Sequence, residues 1–378
     1  LEKAEVAGWV ASTCAKGGEN CVHAQCCRGR GLQCYEKEGG WGMCKAGCFP
    51  GAPDTTDVDP HFWSCRKIGG RTPGKVPKAL SNLKPPNWVD SKCSAGPDDC
   101  SKTRCCKEEG MQCFQKNLYW ASCKFHCSEG VDPTGTDKEP WSCKALGPRT
   151  PKPWGFPSMF CFSVMRDTGY EVDLVKTQLA AGAGIFACDD FALACSEDLT
   201  IYGLKALKFA SAYVGISQDH TAANTELFMH VWDAIKADGR YNLLDWTVKV
   251  DPDAVLIPDR LRGHLEKFTG QKAYVKNCNK PHMTPMMFGA LECISRLGMV
   301  GYFEGEDACR TQLGWAGWGE DFFMGRCLDM LQVQGQADYG IYTDGVCTVV
   351  DCHNPGAAAF HPFKGKDAWM GCYYTATR

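Results

Sequence analysis

The chain has 378 residues, 44% of them apolar and 22% charged, which excludes wholesale disorder and gives length for two or three domains. A formal net charge of -3 argues against a dedicated nucleic-acid binder, and no uninterrupted apolar run reaches the roughly 18 residues that a transmembrane helix needs. The 26 cysteines are an even count, crowded towards the front and lacking the CxxC pairs of zinc ribbons, so they predict disulfides and an oxidising compartment. The chain opens at Leu1 with neither methionine nor an apolar leader, an opening that a removed signal peptide or upstream anchor would leave.

The first part repeats itself. Cys14, Cys21, Cys26, Cys27, Cys34, Cys44, Cys48 and Cys65 recur as Cys93, Cys100, Cys105, Cys106, Cys113, Cys123, Cys127 and Cys143, at an offset of 79 residues that falls to 78 at the last pair. Gly31-Leu32-Gln33-Cys34 matches Gly110-Met111-Gln112-Cys113, Trp63-Ser64-Cys65 matches Trp141-Ser142-Cys143, and Trp41 matches Trp120. Each copy is too short for a sizeable apolar core, so disulfides supply what the core cannot. The order C-x6-C-x4-CC-x6-C resembles cystine-knot miniproteins (knottins). That resemblance implies binding modules or stapled spacers, and the eight cysteines of a copy leave the pairing open. Trp41, Trp63, Trp120 and Trp141 are candidates for stacking on sugar faces or for covering the disulfides. The expected boundaries are 1–78 and 79–152 for the two modules with their linkers, residues 71–88 and 148–157 being rich in proline, glycine and lysine.

From residue 153 to 378 the chain changes character. Residues 1–152 hold 22 basic and 17 acidic side chains, +5, and the remainder 19 and 27, -8, which sum to the -3 of the whole. The pattern predicts a strand over 158–165, a helix over 170–180 and a strand over 184–188 ending on Asp189-Asp190. A helix follows over 222–236, then a strand over 243–250 that runs into Asp251-Pro252-Asp253. Pro258 suits the first turn of a helix over 259–268. Strands over 274–276 and 287–293 and a helix beginning at Glu320 or Asp321 complete the reading. Strands alternating with helices predict an α/β domain with a mostly parallel sheet, in which ligands bind beyond the carboxyl ends of the strands.

Two carboxylates one residue apart at the end of an apolar strand suit a hard divalent cation. Met287-Phe288-Gly289-Ala290 places small residues beside a strand, for a close substrate or a tight turn. Glu320-Asp321 opens a helix, where the macrodipole favours acidic side chains. His361-Pro362 and Lys364 add an imidazole and an amine near the C-terminus. Taken in order, these features resemble metal-dependent nucleotide-sugar glycosyltransferases of the GT-A fold, of the fringe and β-1,3-galactosyltransferase type, over about residues 158–372. Two departures stand out: Pro252 occupies the middle of the acidic triplet, and Trp318-Gly319 precedes Glu320.

The resemblance implies a Rossmann-like GT-A domain that transfers a sugar from a UDP-sugar donor to a glycan or glycoprotein hydroxyl with inversion. It implies Mn²⁺ or Mg²⁺ held by Asp251, Asp253 and His361, with Asp251 also reaching the donor ribose or a water on the ion. Lys364 would assist at the diphosphate, Asp189 or Asp190 would hold the nucleoside, and Glu320-Asp321 would form the catalytic pair with Asp321 as general base. The expected location is the secretory pathway, in the Golgi lumen or outside the cell, with residues 1–152 serving either as stapled spacers or as modules that bind polysaccharide or other partners. The ten cysteines beyond residue 152 are expected to brace the domain. The alternative reading is a secreted carbohydrate-binding or structural protein with an inactive transferase-like domain.

Overall fold

The computed structural model describes residues 6–74, 84–125, 127, 129–132, 137–217, 222–280 and 284–378. Half of the linker expected over 71–88, residues 75–83, lies outside them. The chain divides into two compact units, Leu1–Pro153 and Trp154–Arg378.

In the first unit both repeats fold alike around their disulfides. In order along each copy, the first cysteine bonds the third, the second the fifth, the fourth the sixth and the seventh the eighth; Cys14–Cys26, Cys21–Cys34, Cys27–Cys44 and Cys48–Cys65 recur as Cys93–Cys105, Cys100–Cys113, Cys106–Cys123 and Cys127–Cys143. Each copy carries a three-stranded antiparallel sheet, Gln33–Glu38 between Trp41–Lys45 and Arg66–Ile68 in one, and Gln112–Gln115 between Ala121–Lys124 and Lys144–Ala145 in the other. Trp63 is buried under two ammonium groups, Lys37 at 5.5 Å and Lys45 at 4.2 Å from its ring, and these cations are neutralised by Asp57, Asp59 and Asp54. Lys116 and Lys124 clamp Trp141 in the same way, at 5.8 and 4.0 Å. Trp63 is therefore a packing residue and is withdrawn from any sugar-stacking role. Trp41 and Trp120 stay exposed.

The second unit is built on a seven-stranded sheet. Its strands are β1 (Met159–Val164), β2 (Asp190–Cys195), β3 (Leu207–Lys208), β4 (Trp246–Val250), β5 (Ala273–Lys276), β6 (Leu291–Ser295) and β7 (Gln334–Ala337), in the order β3-β2-β1-β4-β6-β5-β7. Six run in one direction, and β6 alone is antiparallel to its neighbours β4 and β5. The helices are α1 (Tyr170–Ala181), α2 (Thr225–Asp238), α3 (Pro258–Leu265), α4 (Arg296–Gln312), α5 (Glu320–Met330) and α6 (Lys366–Thr377). One face of the sheet packs Met159, Cys161, Leu193 and Val248 against Val175 and Leu179 of α1 and Leu261 and Leu265 of α3. On the other face Phe162 meets Trp232 of α2 edge-on at 5.1 Å, and Trp232 meets Tyr302 of α4 at 6.1 Å. Every residue of β4 is consequently buried, as a central strand covered on both faces must be.

Three expectations are corrected. Residues 184–187 form a 3-10 turn, because Gly182 and Gly184 take φ of 60° and 62°, which no strand accommodates; the strand starts at Asp190, so Asp189 and Asp190 lie at its beginning and not at its end. The apolar run over 287–293 splits, with 287–290 in a loop that enters β6. Helix α2 begins at Thr225, after Ala222–Ala223 pairs with Gly215–Ile216. Helix α4 escaped the periodicity because it contains three glycines. At Gly298 a Cβ would lie 2.9 Å from the carbonyl oxygen of Ala273, so glycine lets the helix sit close against β5. Of the ten cysteines in this unit, eight form Cys161–Cys188, Cys278–Cys347, Cys309–Cys327 and Cys352–Cys372, while Cys195 and Cys293 are buried free thiols. Among the described residues no helix is long and apolar enough to cross a membrane.

Candidate active site

Strand order reverses at β1, with β2 on one side and β4 on the other, and ligands in open α/β sheets bind beyond the carboxyl ends of strands at such a point. Asp251-Pro252-Asp253 leaves β4 there. Because β6 runs the other way, its entry loop reaches the same edge: Leu291 pairs with Val250, and Asp251 N–H donates to the carbonyl of Ala290 at 3.2 Å.

A second, three-stranded sheet delivers the histidine. Ala359–His361 lies between Val255–Leu256 and Tyr342–Asp344, with His361 in register with Asp344. Asp251, Asp253 and His361 come together with one ligand atom from each within 4.8 Å of the others. His361 Nε2 lies 3.4 Å from Asp253 Oδ1, and its Nδ1 lies 2.6 Å from Asp344 Oδ2. Asp344 is fixed in turn by Tyr342 Oη and by the N–H of Val346 at 2.7 Å. Two carboxylates and an imidazole whose second nitrogen is held by a carboxylate form a donor set that fits Mn²⁺ or Mg²⁺. Burial alone would lower the His361 pKa, but its hydrogen bonds to Asp253 and Asp344 prevail and raise it to about 9. Burial would raise the Asp253 carboxyl; the hydrogen bond and charge of His361, helped by Lys364, hold it below the usual range instead. Lys364 stays exposed at the rim, set there by the Phe363 N–H that donates to Asp253 O at 2.8 Å.

The second half of the site is the start of α5. Asp321 Oδ2 accepts from Gly289 N–H at 3.0 Å and Oδ1 from Phe322 N–H at 2.7 Å. A Cβ at position 289 would lie 3.1 Å from Glu320 Oε1 and 3.3 Å from Asp321 Oδ2, so glycine here permits a close approach by both carboxylates. Burial first, and the adjacent Glu320 second, raise the Asp321 pKa to about 7. Asp321 borders a pocket of about 260 Å³ with Tyr274, Met286, Met287, Phe322 and Arg326 among its walls. Glu320 faces inward, with its backbone N–H on Asn224 Oδ1 at 3.0 Å and its carboxylate 2.5 Å from Lys249 Nζ.

Asp189 and Asp190 take no part in this site. Asp189 accepts from the backbone N–H groups of Gly155 and Met159, each at 2.7 Å, and pairs with Arg262 at 2.7 Å. Asp190 pairs with Arg240 at 2.8 Å. Both sit at the amino ends of the parallel strands, and their carboxylates knit the sheet to its flanking segments. Lys249, Asp344 and Tyr342 were missed in the sequence. Lys249 had a signal, a lysine inside the apolar run Trp246-Thr247-Val248-Lys249-Val250; Asp344 had none, because only strand pairing brings it to His361.

No family model matches the chain, and no curated protein matches it. Among solved structures it is similar to a glycosyltransferase involved in the glycosylation of the major capsid of PBCV-1, at 10% identity and a TM-score of 0.36, over 57% of this chain and 100% of that one. It is also similar to a putative glucose-1-phosphate thymidylyltransferase from Bacillus anthracis in complex with a sucrose, at 8% identity and a TM-score of 0.30, over 58% of this chain and 95% of that one. At these TM-scores the likenesses decide nothing about function.

Proposed function

We propose that the second unit is a divalent-cation-dependent inverting glycosyltransferase that moves a sugar from a UDP-sugar to a hydroxyl of a glycan or glycoprotein. The observation that carries this reading is the convergence, at one sheet edge, of the Asp251/Asp253/His361 cluster and a carboxyl that titrates near neutrality, Asp321, facing a pocket.

Asp253 and His361 hold the cation, with Asp251 completing the set or meeting the donor ribose. A bound Mn²⁺ or Mg²⁺ supplies Lewis-acid neutralisation of the diphosphate leaving group. Lys364, exposed at the rim, reaches the same phosphates. The pocket beside Asp321 receives the acceptor; its methionine and phenylalanine walls suit the apolar face of a sugar ring or aglycone, and they displace water from the reacting hydroxyl. Asp321 takes the hydroxyl proton as that oxygen attacks the anomeric carbon, and a pKa near 7 leaves it both ionised and basic at neutral pH. Attack from the side opposite the diphosphate inverts the centre. The twelve disulfides among the described residues support an oxidising compartment, the secretory pathway or beyond it. The exposed Trp41 and Trp120 make polysaccharide binding the fitting role for residues 1–152.

The test is UDP release from a panel of UDP-sugars with Mn²⁺ or with EDTA, for wild type and Asp253→Ala. Metal-dependent release that the substitution abolishes supports the transferase and identifies its donor. A folded wild type that binds a donor but releases nothing from any sugar overturns the reading in favour of a non-catalytic carbohydrate-binding protein.

A further inference from the structure

Lys249 is 1% exposed, one residue before the carboxyl end of the sheet's central strand, on the face that meets α2 and α5. Its ammonium lies 2.8 Å from Asp251 Oδ1, 2.5 Å from Glu320 Oε1 and 3.4 Å from Glu292 Oε1, and donates to the carbonyl of Gly289 at 2.6 Å. The ring of Phe228, from α2, closes the remaining side at 4.8 Å. Glu292 stands directly across the β4–β6 ladder, fully buried, and burial pushes its carboxyl well above the usual range despite the charge of Lys249.

Such a cluster is a poor device for stability, because buried ion pairs replaced by apolar side chains of similar volume are often no less stable. Its geometry is more informative. Of its three carboxylates, Asp251 leads out to the cation cluster and Glu320 is the chain neighbour of Asp321. The Gly289 carbonyl bound by Lys249 belongs to the same residue whose N–H holds Asp321. One ammonium thus touches both halves of the candidate site, from a position that no substrate can reach.

We infer that Lys249 is a positioning residue for the transfer reaction: it fixes the Asp251 carboxylate, the Gly289 loop and the first turn of α5 about one ammonium, and so sets the spacing between the cation-binding group and the general base. The inference rests on the transferase reading. A displacement of about 1 Å between reacting groups is enough to lose on the order of 100-fold in rate. A second consequence is electrostatic. Asp321 faces Glu320, Glu292 and Lys249 from the interior and shares its pocket with Arg326 and Asp329; of the two cations, Lys249 is the buried one, and its charge favours the Asp321 carboxylate.

The experiment compares wild type, Lys249→Met and the paired variant Lys249→Met/Glu292→Leu, which replaces both polar members of the cross-strand pair with apolar side chains in case the single variant fails to fold. UDP binding in the presence of Mn²⁺ is measured by calorimetry, and kcat and KM for transfer are measured across pH. The expected result is kcat lower by on the order of 100-fold, a smaller loss of UDP affinity because Lys249 also fixes Asp251, and an acid limb of kcat moved to higher pH. A folded variant with unchanged kcat and an unmoved limb overturns the positioning role, as does a kcat that falls only in proportion to the folded fraction. A wild type without turnover on any donor overturns the transferase reading and this inference with it, whereas an active wild type beside an equally active variant removes the inference alone.

Discussion

Asp321 sits under opposed demands. An ordinary aspartate is ionised at neutral pH and a weak base; burial beside Glu320 raises this one from 3.8 to about 7. Wild-type transfer is therefore expected to rise with pH through about 7 as the carboxylate forms, which a kcat–pH profile in saturating Mn²⁺ and donor checks. The same shift acts on stability with a definite sign. Between pH 3.8 and about 7 the folded chain keeps a proton that the unfolded chain has released, so this group's contribution to stability falls as pH rises through that window. Asp321→Asn should therefore raise unfolding stability at pH 8 by about 1–3 kcal/mol, leave it unchanged near pH 3, and lower kcat by about 10²–10⁴-fold. Asp344 acts at one remove. It touches His361 Nδ1 and not the cation position, so Asp344→Ala should weaken Mn²⁺ binding by about 10–100-fold without touching the acceptor pocket, as metal titration with and without UDP will show.

At the scale of elements, the site exists because one strand runs against six. The reversal of β6 brings Gly289 to the carboxyl end of β4, and without it Asp321 would keep only the donor from its own helix, the N–H of Phe322, and lose the one that ties it to the β4 edge. The opposite edge of the sheet is held by buried carboxylates. Asp189→Asn should cost about 3–5 kcal/mol in denaturant unfolding by leaving Arg262 without its buried charge partner and with only the exposed Asp259 beside it, with UDP affinity and kcat of the folded fraction unchanged. A loss of UDP affinity in that variant would return Asp189 to the donor site. Cys278–Cys347 ties the segment after β5 to the segment after Tyr342–Asp344 across 69 residues of sequence, and replacing both with serine should cost about 4 kcal/mol.

At the scale of the whole chain, two units of different construction share one sequence. The repeats rely on bridges and lysine-clamped tryptophans, and the second unit on a sheet buried on both faces. Residues 1–152 alone should be retained on an insoluble polysaccharide, Trp41→Ala/Trp120→Ala should abolish retention in a pull-down, and Trp63→Ala should instead lower thermal stability, since that ring is packed between Lys37 and Lys45.

Much of this was legible in the residues themselves. Cysteine spacing gave the repeats because duplication leaves an offset in the chain, and the strand ending on Asp251 and the helix opening at Glu320 followed from local periodicity and end chemistry, which neighbours in sequence settle. The direction of β6, the placement of Asp189 and Asp190, the pairing of Asp344 with His361 and the bridging by Lys249 did not follow. Each depends on which strands adjoin in the sheet and on which carboxylates an ammonium meets when buried. Those are long-range contacts, fixed by packing the two faces of the sheet; Lys249 stands out locally as a lysine inside an apolar run, but nothing near any of these residues in the chain names its partners.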